Sequence, residues 1–218
     1  MWTRRQLLAT TGGAVTAALA GCSLFGGPIE GEAEPARVLE PAQSQTGYTH
    51  QRTAEQVIEQ TVNLGDQERD ISLTNWLSEY SKTPGTAPDG AAGFLLFTTP
   101  TVSVAGQSAN PFDQFGEKQL IREVVKRSAR GDPQGGLVEV GTETVQMLDQ
   151  SVDLTEYETT QTISGQSVDV RIHVGTLTNE GDLIAVLGSY PDPSQFSLSG
   201  EAENIYTLAR GTTHPASE

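Results

Sequence analysis

The stretch LTEYETTQTISGQSVDVRIHVGT, residues 154–176, decides the fold. On either side of Ser164-Gly165-Gln166-Ser167, apolar or β-branched residues recur at every second position, as in two half-buried strands. Gly165 at the first central position of that turn predicts a type II′ hairpin, which needs positive φ there. Pairing Ser164 with Ser167 sets Ile163 against Val168, and Gln161, Thr159 and Tyr157 against Val170, Ile172 and Val174. The other face then pairs Thr162 with Asp169, Thr160 with Arg171 and Glu158 with His173. Apolar side chains collect on one face and polar ones on the other, a separation that a one-residue slip would destroy.

Outward from this hairpin, Leu137–Leu148 and Leu183–Tyr190 extend it into an antiparallel meander. Upstream, Val57–Leu64 and Ile71–Tyr80 flank the turn residues Gly65-Asp66. In the second of these strands Ile71, Leu73 and Leu77 share one face, and Trp76 and Tyr80 share the other. Lys82–Gly90 reads as a loop, and Ala91–Ser103 as a buried strand bent near Pro100. Asn110-Pro111 is a helix start, with Asn as cap and Pro in the first turn. Glu117–Ala129 is an amphipathic helix whose apolar stripe is Leu120, Ile121, Val124 and Val125. A last helix, Gly200–Arg210, carries Ala202, Ile205, Leu208 and Ala209 on one side. The expectation is one α+β domain over residues 35–210, mainly an antiparallel meander with two helices packed on it, followed by a frayed tail, 211–218. In element order it is similar to the sandwich of the photosystem II PsbP and Mog1-like proteins.

The first 34 residues have a different character. Arg4-Arg5 precede a short, weakly apolar segment containing Thr10, Thr11, Gly12, Gly13 and Thr16, and the segment ends at Leu19-Ala20-Gly21-Cys22. A positive start, a short apolar stretch and small residues before a cut make residues 1–21 a signal peptide. The segment falls short of the roughly 20 apolar residues a spanning helix requires. The arginine pair followed by Leu7-Leu8 points to twin-arginine export, and Leu19–Cys22 to a lipobox acylated at Cys22. Residues 22–34, rich in Gly and Glu, then read as anchor and flexible spacer. Cys22 is the sole cysteine, so a disulfide within one chain and a cysteine-based metal cluster are both excluded. One acyl chain holds a protein only marginally, so a two-chain lipid is expected.

Charge narrows the habitat. Without residues 1–21, 11 basic residues face 28 acidic ones, a net charge of −17. Such a surface repels nucleic acid and anionic headgroups. Lysine is confined to positions 82, 118 and 126, against ten arginines. An acidic surface poor in lysine suits a protein kept soluble in concentrated salt, which screens self-repulsion.

The search for chemistry is less productive. His50, His173 and His214 lie far apart, in no metal-ligand spacing. His173 reads as an exposed cross-strand partner of Glu158, and the other two as surface residues near the domain margins. No GxSxG elbow, Walker loop or GxGxxG is present. No catalytic residue, metal ligand or cofactor site is therefore assigned. Trp76 and Tyr80, with Thr74 and Ser78 between them, form the one candidate binding face; the competing reading places such aromatics beneath a helix.

Finally, Thr74–Tyr80 (TNWLSEY), Phe97–Gln107 (FTTPTVSVAGQ), Asn110-Pro111, Ile172-His173-Val174 and Gly188–Pro191 (GSYP) together resemble a family of haloarchaeal lipoproteins of unknown function. The resemblance spans roughly Pro35 to Arg210 and implies an archaeal cell-surface lipoprotein with a twin-arginine signal. It carries no activity, cofactor or catalytic residue. The expectation is a non-catalytic binding or envelope-associated module, held on the extracellular face of the membrane through the lipid on Cys22, with an unknown protein or small-molecule partner. The rival is a secreted hydrolase with unassigned carboxylates.

Overall fold

A computed structural model describes residues 27–64, 67–87, 91–104, 106–128, 135–163, 165–196 and 198–216; Arg4, Arg5 and Cys22 lie outside them. In chain order the elements are β1 (Ile29–Glu32), β2 (Arg37–Val38), α1 (Glu40–Thr46), β3 (Thr49–Leu64), β4 (Gln67–Lys82) and β5 (Ala92–Pro100). The short strands β6 (Ser103–Val104) and β7 (Gln107–Ser108), a 3-10 turn at Pro111–Gln114 and α2 (Glu117–Arg127) follow. Then come β8 (Val138–Met147), β9 (Gln150–Ile163), β10 (Gln166–Asn179), β11 (Asp182–Pro191), α3 (Pro193–Phe196), α4 (Glu201–Arg210) and β12 (Thr212–Thr213).

The long strands form one sheet in the order β3-β4-β5-β11-β10-β9-β8, antiparallel throughout. Strand β3 occupies one edge of β4 along its whole length. Strands β5 and β1 share the other edge, β5 at Trp76–Lys82 and β1, in parallel, at Ile71–Thr74. The nine residues of β5 are all buried, because this central strand is covered on both faces. Its composition, AGFLLFTTP, is correspondingly apolar without alternation.

Two cores, one on each face, explain why. On one face Tyr80, Phe94, Leu96, Val186 and Tyr190 pack against Val38 of β2, Ala42 of α1, and Ile205, Leu208 and Ala209 of α4. On the other, Leu77, Leu95, Phe97, Ile172 and Leu187 pack against Phe112 and the predicted stripe of α2, all four of whose members are buried. The α2 ends obey helix electrostatics, with Glu117 in the first turn and Lys126 and Arg127 in the last. The α+β class holds, and the two predicted helices pack on opposite faces of the sheet.

Three sequence expectations are corrected. The central hairpin closes with Ile163 opposite Gln166, so Gly165 (φ +81°) sits third in the turn, and every pair moves by two positions, Val170 facing Thr159 and Ile172 facing Tyr157. An even slip preserves the facing of each side chain, which is why the apolar separation survives. Second, the spacer ends early. Residues 29–32 are β1, and a Cβ on Gly31 would lie 2.6 Å from Val102 Cγ2, so the strand is pressed into the fold. Third, the tail is pinned as far as Ala216. Thr212 and Thr213 pair with Val38 and Arg37, and the Ala216 amide donates to the Pro35 carbonyl at 2.9 Å.

Candidate functional site

Polar chemistry gathers in two places on the face covered by α4. The first lies on β9, β10 and β11. Arg171 extends three contacts: Nη1 to Glu156 at 3.1 Å, Nη2 to Glu158 at 2.6 Å and Nε to Asp192 at 3.0 Å. Ser194 caps Asp192 through its backbone amide and hydroxyl, and those bonds, with Arg171, hold the carboxyl below the usual range. Next along β10, His173 is fully buried, its Nε2 3.0 Å from the Tyr190 hydroxyl. Its ring stacks on Tyr190 (centroids 5.5 Å apart) and meets Tyr206 of α4 edge-on. Nδ1 has no hydrogen-bond partner.

These environments limit what the groups can do. Burial, helped by Arg171, lowers the His173 pKa to about 4, so the ring is neutral near pH 7. Burial, and then Glu156, pushes the Tyr190 hydroxyl upward, away from phenolate. Asp192 is ionised and engaged, which removes it as a general acid. The cluster has the character of a structural network. His173 overturns the sequence reading outright: its Cα partner is Glu156, and the face it occupies is the one beneath α4, not a solvated one. His50 is exposed, as expected.

The second place joins three distant parts of the chain. His214 Nε2 lies 3.1 Å from Asp182 Oδ2 and 3.2 Å from the Glu34 carbonyl, while Nδ1 lies 3.0 Å from Asn179 Oδ1. The same Asp182 oxygen accepts the Glu34 amide at 2.7 Å. A proton on His214 Nε2 is thus shared between the carboxylate and the Glu34 carbonyl. The tail is thereby tied to the β10–β11 turn and to the segment leading out of β1. His214 is 8% exposed, which corrects the expectation of a surface residue. No local pattern marks this triad, because its members are 32 to 180 positions apart.

Trp76 and Tyr80 do share a face, but Tyr80 is 1% exposed. Its hydroxyl accepts the Val38 amide at 2.9 Å beneath β2. It forms no binding surface, because β2 and α1 cover it; Trp76 is half-buried beside it in the sequence of the strand. On the opposite face Glu117 draws α2 onto β9, accepting from Thr155 at 2.9 Å and from Tyr157 at 2.5 Å. The described surface includes two shallow concavities among others of its kind. One, about 330 Å³, is lined by Glu40, Gln43, Ser44, Gly47, Tyr48 and Thr49. The other, about 250 Å³, lies between Val62-Asn63 and the segment Ser108–Phe115.

A family model described as a domain of unknown function, DUF6517, matches residues 35–213. The chain belongs to that family. No curated protein matches it. The DUF6517 stretch contains the Arg171 network, both helical layers and the β2–β12 pair, and it starts just after Glu34. The DUF6517 region therefore includes Asp182 but neither β1 nor His214, which lies one residue past the match. No helix among the described residues is long and apolar enough to cross a membrane.

Proposed function

We propose that this protein is a twin-arginine-exported lipoprotein of a halophilic archaeon, anchored through Cys22 on the outer face of the membrane, where its domain acts as a non-catalytic binding or envelope-associated module. The observation that carries the reading is Leu19-Ala20-Gly21-Cys22, set behind an Arg4-Arg5 start and seven positions before β1 begins. The acidic, lysine-poor composition supports the salt habitat. The engagement of Arg171, Glu156, Glu158 and Asp192 with one another favours a module over a hydrolase, whose acid must hold a proton near working pH. Helices on both faces of an antiparallel sheet support reading it as a sandwich of the PsbP/Mog1-like kind.

Two substitutions test the address. Cys22→Ser is expected to move the protein from the membrane fraction to the medium of a haloarchaeal host. Arg4→Lys with Arg5→Lys is expected to retain uncleaved precursor inside the cell. Membrane retention of Cys22→Ser in amounts equal to the unaltered protein would refute the lipid as tether.

A further inference from the structure

The path of the chain into the sheet sets which end of the domain meets the membrane. Strand β1 runs parallel to β4, with Ile29 opposite Ile71 and Glu32 opposite Thr74. Its N-terminal end therefore points toward the tip of the β3–β4 hairpin, where Leu64 faces Gln67. Beyond Glu32 the chain is fixed in succession: the Ala33 amide donates to the Thr74 carbonyl, the Glu34 amide to Asp182, and Val38 pairs with Thr212. Gly31 fits so closely against Val102 and Pro100 that β1 cannot lengthen the tether without losing its packing.

The reach of the tether follows from chain geometry. Six steps separate Cys22 from Pro28, which spans at most about 22 Å. The 11 steps of β4 from Ile71 to Lys82 rise roughly 36 Å in the opposite direction. If the domain stood inverted, Pro28 would lie farther from the membrane than Cys22 can reach. The hairpin tip, only four steps past Ile71, rises about 13 Å toward the anchor, well within the tether's length.

We propose that the β3–β4 hairpin tip is the membrane-facing end of the domain, apposed to the lipid headgroups, and that the Thr49–Lys82 end always points outward. This rests on the lipid anchor at Cys22 proposed above. The tip faces the headgroup layer without binding it or entering the hydrocarbon, because Glu59, Glu68 and Asp70 against Arg69 leave it net negative and charge is expensive in the hydrocarbon. The concavity lined by Glu40, Gln43, Tyr48 and Thr49 accordingly belongs to the outward end.

The sole cysteine makes the test clean, since lipidation caps the Cys22 thiol and one introduced cysteine takes a fluorophore alone. Asn63→Cys and Thr49→Cys sit on exposed positions of the same strand, about 47 Å apart along it. Energy transfer to a headgroup-labelled acceptor in native membranes is expected to be at least roughly twofold stronger from position 63, given that separation. Equal transfer, or stronger transfer from position 49, in membrane-bound protein overturns the orientation and leaves the anchor standing. Soluble protein whose Cys22 still reacts with maleimide overturns the anchor, and the orientation with it.

Discussion

At His173 burial and the Arg171 guanidinium act in the same direction, both against a proton on the ring. The folded-state value of about 4 lies below the ordinary 6.5, so between those limits the unfolded chain binds more protons than the folded one. Stability contributed by neutral His173 is complete above pH 6.5 and is lost as pH falls toward 4, on the order of 3 kcal/mol in all. Denaturant unfolding at constant high salt across that range checks it, and His173→Phe should flatten this part of the profile. Gly188 makes a second residue-level demand. A Cβ there would lie 2.4 Å from Ile205 Cγ2 and 2.7 Å from Cδ1, so Gly188→Ala forces α4 off the sheet and should cost about 1–3 kcal/mol. Ile205→Ala in the same chain opens the space. In a double-mutant cycle by urea unfolding, the pair should be clearly less destabilised than the sum of the single changes.

Among the elements, the N- and C-terminal strands are the ones whose stability depends on contacts far away in sequence. β12 has two residues, β2 has two, and neither forms a structure alone. His214 and Asp182 hold the crossing point. His214→Ala removes the groups that face Asp182 Oδ2, Asn179 and the Glu34 carbonyl, and it leaves Asp182 accepting from the Glu34 amide alone. Hydrogen exchange of the Ala216 and Glu34 amides should quicken by at least tenfold while amides of β5 stay protected, since the loss is local. Equal acceleration in β5 would show that the clamp holds the whole domain. Among the described residues, the long strands β3 and β8 each pair with one neighbour only, which leaves an outer edge on each. They carry the same safeguards: β8 is bulged at Val140 and bears Glu139 and Glu143, and β3 is bulged at Gln51 and bears Arg52, Glu55 and Glu59.

For the molecule as a whole, charge dominates. A net charge of −15, or −17 on the mature chain proposed above, repels itself on a domain of this size, and that repulsion reaches about 10 Å at 0.1 M salt but only about 3 Å at 1 M. The melting temperature is expected to rise with added NaCl and equally with KCl, and to change far less with sucrose at matched osmolarity. A salt-independent melting temperature would argue against the halophilic reading. Much of the architecture is legible in the sequence. Strict alternation marked β9 and β10, an unbroken apolar run marked β5, and a four-residue stripe marked α2. These signals are local, because strand and helix periods are written in neighbouring positions. The candidate site was not legible. For Tyr80 the sequence leaves a binding face and burial beneath a covering layer both open, and for His173 it suggests an exposed pair, since alternation reveals that two residues share a face but not what covers it. Helix α1 is a seven-residue helix with Pro at its start, too short to show a periodic stripe and stabilised by packing of Ala42 on the core.

The amino-acid sequence alone determined the element types, the separation of the two sheet faces, the acidic surface and the uniqueness of Cys22, all of which depend on composition or on spacing of a few residues. Tertiary structure decided which layer covers each face, where the hairpin register settles, and that β1 and the tail are fastened to the sheet through Asp182. Those outcomes depend on contacts between segments as far as 180 positions apart, and closing such long loops is governed by the packing of the whole domain, not by any pattern within one segment.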